Sequence, residues 1–128
     1  MNKASVRIEK GDNSWVEVTL AQKLSEHCGI ALSREALVEV KVNGVLDENR
    51  PLWEAIAMSG IFHGYRECEI RPHEYEVSIE SLRGVIQDPI SENTGIAIAA
   101  SYALMMCLGR NEMIPVEHLE GWELVEDV

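Results

Sequence analysis

The stretch TGIAIAASYALMMCLG, from Thr94 to Gly109, is the one long apolar run in a chain that otherwise alternates charged and apolar residues. Its central part, 96–108, interrupted by Ser101 and Tyr102, would rise about 20 Å as a helix, short of a hydrocarbon layer about 30 Å thick, so a membrane span is not expected. Ala97, Ala99, Ala100 and Ala103, with Leu104, Met105 and Met106, favour helix by intrinsic propensity, and no turn residue divides them. Asp88 before Pro89 offers one start and Asn93 or Thr94 a later one. Gly109 can take a left-handed position after the last turn, with Arg110 beside the carbonyl end. A helix that is apolar on all sides must be covered on most of them. Burying one large side chain is worth about 1.5–3 kcal/mol, so this segment is expected to be the interior rod of the fold. A second copy of the chain is the alternative cover, which makes a homodimer the rival expectation.

The rest of the chain reads mostly as strand. Val6 and Ile8 alternate with Arg7 and Glu9; after the turn residues GDNS, Val16, Val18 and Leu20 alternate with Glu17 and Thr19, which predicts a hairpin. A short helix is expected over 20–27, capped by Thr19 and ended by Gly29. Val38, Val40 and Val42 predict a third strand, closed by the tight-turn pair Asn43 and Gly44. PLWEAIAMSG predicts a helix with Pro51 at its first position and a stop at Gly60. Residues 67–71 are expected to be extended, and Tyr75, Val77 and Ile79 to share one face of a further strand. No linker, repeat or low-complexity tract divides the sequence, so residues 1–128 are expected to form a single α+β domain. In it, an antiparallel or mixed sheet packs on the buried helix of the C-terminal half.

The order hairpin, short helix, strand, tight turn and second helix, over roughly residues 4–72, resembles the β-grasp arrangement, in which a mixed sheet curls round a helix. The resemblance is topological. The chain has no diglycine carboxyl tail, so ubiquitin-like conjugation has no chemical handle here.

Charge narrows the function classes. The formal net charge is −11, and it is unevenly spread: residues 85–128 hold eight acids and one base. Phosphate backbones are held by lysine and arginine, so direct nucleic-acid binding is not expected. A basic protein would be attracted and steered. The three cysteines, Cys28, Cys68 and Cys107, are far apart and odd in number, which fits reduced thiols in a cytoplasm better than a disulfide scaffold. The opening MNKASVRIEKGDNS does not read as a secretory leader, so a cytoplasmic location is expected.

Candidate chemistry concentrates in HGYRECEIRPHEYE, residues 63–76, where His63, Cys68 and His73 stand among Glu67, Glu69, Glu74 and Glu76. Zinc needs convergent donors, and these spacings match no short metal motif; no metal and no cofactor is expected. His27 and Cys28 are adjacent, and on a helix neighbours diverge, so a thiolate pair is not expected. The carboxyl end, NEMIPVEHLEGWELVEDV, has six acids and no lysine or arginine. It offers Glu112, Glu117, Glu120, Trp122 and Glu123 as partner-binding residues, with Trp122 as an aromatic anchor among carboxylates. The sequence thus predicts a small acidic, non-catalytic binding protein that neutralises or chaperones a basic partner; an immunity protein for a nucleic-acid-degrading toxin is one instance. The alternative is a small enzyme or ligand-binding domain with a pocket near residues 63–76.

Overall fold

A computed structural model describes residues 2–11, 13–26, 29–115 and 120–125, with the side chain of His73 outside the description. Period-two patterning produces the expected hairpin of β1 (Asn2–Lys10) and β2 (Ser14–Leu24), paired from Asn2 opposite Gln22 to Lys10 opposite Ser14. Then come β3 (Gly29–Val42), β4 (Val45–Asp47), α1 (Arg50–Glu67), β5 (Tyr75–Ile86), α2 (Thr94–Cys107) and β6 (Trp122–Leu124). The strands form one sheet in the order β4-β3-β5-β2-β1-β6, antiparallel except for the parallel pair β3–β5. Both helices pack together and lie on one face of the sheet, α2 across β1 and β2 and α1 towards β3. The class is α+β with a mixed sheet.

α2 is the interior rod. Among its residues Ile96, Ala99, Ala100, Ala103 and Leu104 are at most 1% exposed. They meet the inward row of the sheet: Val6 and Ile8 of β1, Val16, Val18 and Leu20 of β2, and Ile79, Leu82 and Ile86 of β5, in one hydrophobic cluster. The helix starts at the later of the two expected positions, with Asn93 as cap residue and no side-chain cap bond. Asp88 does not cap it. Its carboxylate accepts instead from the Ile90 N–H (3.0 Å) and the Ser91 hydroxyl (2.9 Å), which closes a local turn. Gly109 has φ +70°, as the helix stop requires.

Four expectations are corrected. Residues 20–24 continue β2 rather than forming a short helix, because they find ladder partners: Leu20 lies between Ile79 of β5 and Ala4 of β1, Gln22 between Val77 and Asn2, and Leu24 opposite Tyr75 of β5. An isolated helix so short cannot repay its nucleation cost, whereas two ladders can. His27, the end of that expected helix, and Cys28 after it lie outside the described residues. Without the helix, the resemblance to a β-grasp loses the element the sheet would curl round; β5 moreover inserts between β2 and β3. Gly60 does not stop α1, which runs on to Glu67. Residues 67–71 are not a strand: Glu67 ends α1, Cys68 is its cap and Glu69 has φ +55°. The turn at Asn43 (φ +52°) and Gly44 (φ +79°) is left-handed at both residues, as a type I′ turn demands.

The face of the sheet opposite the helices carries its own order. One cross-strand row reads Glu39, Arg83, Glu17, Arg7, alternating in sign over four strands. The Arg83 Nη1 lies 3.4 Å from Glu17, and its Nε lies 3.9 Å from Glu39. The guanidinium of Arg7 stands 4.1 Å over the Trp15 ring and that of Arg83 5.7 Å from it. Acids and bases balance along this row.

Candidate functional site

The acidic carboxyl end is spread over three places. Glu112 is exposed in a 3-10 turn, Asn111–Met113, that follows α2. Glu120 is exposed, has φ +55° and accepts a hydrogen bond from the Thr94 hydroxyl (3.0 Å), which ties the turn before β6 to the first residue of α2. Glu123 is exposed on β6 opposite Glu9 of β1, at an open groove of about 620 Å³ that it shares with Arg7, Lys10 and Trp15. Glu117 lies outside the described residues. Glu120 and Glu123 are therefore neighbours on one edge, and Glu112 belongs to a separate turn.

Trp122 is not displayed to solvent. It is 2% exposed, and its ring fills the space left by Gly95, where an added Cβ would come within 2.5 Å of the indole. The Lys10 ammonium sits over the ring, 5.7 Å from its centroid. Gly95, which weakens the helix locally, is there because the indole needs its room. Trp122 thus corrects the expectation of an aromatic anchor: apolar area and a short edge strand draw it inward, where it holds Glu120 and Glu123 in place. The interleaving of apolar and acidic residues showed that this segment has an inner side, but not that the tryptophan takes it.

The described members of the cluster at 63–76 do not converge, and the side chain of His73 lies outside the description. His63 and Glu67 share one side of α1, Nε2 to Oε1 3.7 Å. Cys68 is buried beyond them, with burial pushing its thiol up. Glu76 sits on β5, 3.5 Å from Lys23. Among the described residues no three His, Cys, Asp or Glu side chains come together as a metal site. Cys107 is equally unsuited to nucleophilic work, since burial raises its thiol to about 11.

His63 and Glu67 instead stand at the rim of a cleft of about 270 Å³ between α1 and α2. Its origin is the close approach of the two helices. A Cβ on Gly60 would overlap the Ala97 carbonyl oxygen and come within 2.7 Å of the carbonyl carbon, and one on Gly64 would lie 3.2 Å from the Ser101 oxygen. Where glycine meets small residues the backbones touch, and no described side chain fills the space above them. Ile98, Tyr102 and Met105 of α2 wall the hollow, with Met113 and Pro115 at one end. The sequence places Ile98, Tyr102 and Met105 on one bulky side of the helix and Ala97 and Ser101 on a small one, but does not show that a hollow forms between them. The signal was present as paired small residues four apart, Gly60 and Gly64 against Ala97 and Ser101.

No family model matches the chain, and no curated protein matches it. Among solved structures it is similar to mevalonate pyrophosphate decarboxylase from Streptococcus pyogenes, with a TM-score of 0.27 and 11% identity over 83% of this chain. The chain corresponds to 36% of the length of that enzyme.

Proposed function

We propose that the chain is a small acidic binding protein whose partner is a basic protein, held chiefly at the carboxyl-terminal edge around Glu120 and Glu123, with Glu117 and Glu112 adding to the field. The observation that supports this most is the charge of residues 85–128, eight acids against one base. Along the row Glu39, Arg83, Glu17, Arg7 of the sheet's open face acids alternate with bases, so that row offers a cationic surface little net attraction. Glu92, another acid of this region, is only 8% exposed and serves the fold. An immunity-type role, in which carboxylates cover the cationic site of a nucleic-acid-degrading toxin, is one form of this reading. No helix is long and apolar enough to cross a membrane among the described residues, and Cys68 and Cys107 are free, buried thiols. Those thiols favour a cytoplasmic location.

The test is affinity capture with the purified protein as bait, followed by salt elution. The expected partner is basic, stoichiometric and released as ionic strength rises, because exposed charges are screened within about 10 Å at 0.1 M salt. Reversing Glu117, Glu120 and Glu123 together to lysine should lower its affinity about tenfold or more while leaving the circular dichroism spectrum unchanged. Retention that ignores both salt and the triple reversal contradicts the proposal.

A further inference from the structure

The cleft between α1 and α2 has features that the acidic edge does not explain, and it stands independently of the reading given for that edge. Its wall is apolar and polarisable: Ile98, Tyr102 and Met105 on α2 and Met113 beyond it. Ser101, 3% exposed, is one of its lining residues, and its hydroxyl oxygen has no hydrogen-bond partner among the described residues. A buried polar atom left unpaired costs free energy, and a molecule or water seated against it removes that cost. Glu67, also a lining residue, brings a carboxylate to the cleft, with its side chain 49% exposed and His63 as its neighbour on α1. The volume, about 270 Å³, is below the range of drug-sized pockets.

We infer that this cleft is a binding site for a small organic ammonium: an alkyl or arylalkyl chain lying on Ile98, Met105 and Met113, its charged head between Glu67, the Tyr102 ring and the Ser101 hydroxyl. Each part of the site selects for one part of that ligand. The apolar wall takes the chain, since thioethers adapt to irregular shapes. The carboxylate attracts a cation and repels an anion of equal size. An aromatic face adds attraction for an ammonium. The Ser101 oxygen accepts an N–H from the head group, which satisfies its bonding. The net charge of −11 raises the local concentration of cations in general and sets the same preference at longer range.

The experiment uses the intact protein, with methyl ¹H–¹³C spectra as readout and n-hexylammonium chloride as probe. The expected result is saturable shifts confined to Ile98, Met105 and Met113. Sodium hexanoate should bind about tenfold more weakly or not at all, because its charge has the wrong sign for Glu67. Glu67→Gln should weaken the hexylammonium affinity about fivefold, an exposed ion pair's worth. Ser59→Phe, at an exposed rim position on α1 that does not face the core, should fill the cleft and abolish the saturable shifts; its thermal unfolding reports whether the fold is kept. Equal binding of hexanoate, shifts spread over the whole surface, or undiminished saturation in folded Ser59→Phe would each overturn the inference.

Discussion

Gly60→Ala is expected to destabilise the protein by about 3 kcal/mol, at the upper end of overpacking costs. The sign is what makes the prediction sharp. Inside an ordinary helix the same change adds stability, by about 1 kcal/mol, because alanine is the better helix former. Here the new Cβ would overlap the Ala97 carbonyl oxygen and stand 2.8 Å from its Cα, and both are backbone atoms that no rotamer change can move. The helices must then separate, opening the contact that closes the core above Ile61 and Leu104, each fully buried. Urea denaturation measures it: the midpoint falls at unchanged slope. Gly11→Ala is the matching control, since nothing lies within 4 Å of its added carbon, and it should leave the midpoint nearly where it was. A Gly60→Ala protein as stable as the parent would mean that α1 and α2 do not touch as described.

Glu92→Ala should cost a comparable amount, about 3 kcal/mol, for an electrostatic reason. This carboxylate is 8% exposed and accepts from the Gln87 N–H (2.7 Å), the Asp88 N–H (3.0 Å) and the Ser14 hydroxyl (3.1 Å), so it clasps the β5–α2 connection to the start of β2. Hydrogen bonds to a charged group are the stronger kind, and truncation would leave three donors without their acceptor. Burial is the largest single influence on its ionisation and opposes it. The two backbone N–H groups, the Ser14 hydroxyl and Lys10 together outweigh burial and hold the carboxyl below the usual glutamate value. A depressed folded-state value means the unfolded chain takes up the proton first. The clasp's contribution is therefore complete above the unfolded value, near 4.5, and is lost as pH falls through the lower folded one. Stability of the parent should thus decline below about pH 4.5 more steeply than that of Glu92→Gln, which keeps an acceptor oxygen but has no proton to gain. Parallel pH profiles for the two proteins would remove Glu92 from this role.

How far the sequence reveals these features depends on whether their cause is local. The hairpin, the strand at Val38–Val40–Val42, the left-handed turn at Asn43 and Gly44 and the helix through Leu104 all follow from neighbours in sequence, by side-chain period or backbone freedom. The extension of β2 through Leu24 does not, because it is decided by Tyr75 and Ile79, more than fifty positions away. Gly60 shows the same division: as a residue type it suggests a stop, and only the partner helix turns it into a point of contact. The candidate sites divide likewise. Acid content at the carboxyl end is legible letter by letter, while the inward turn of Trp122 depends on a vacancy above Gly95 that belongs to another element. His63 and Glu67 stand out in the sequence as part of a dense run of polar side chains, yet what gives them a shared setting is the hollow over small residues of two helices.

Amide hydrogen exchange along α2 tests most directly the claim that this helix is the protein's interior rod. The amides within 98–107 should exchange among the slowest in the chain, together with those of the central strands β2 and β5, because only global unfolding exposes them. Exchange in that segment as fast as in the turn at Asn111–Met113 would contradict the claim, and with it the architecture that positions the cleft and the acidic edge.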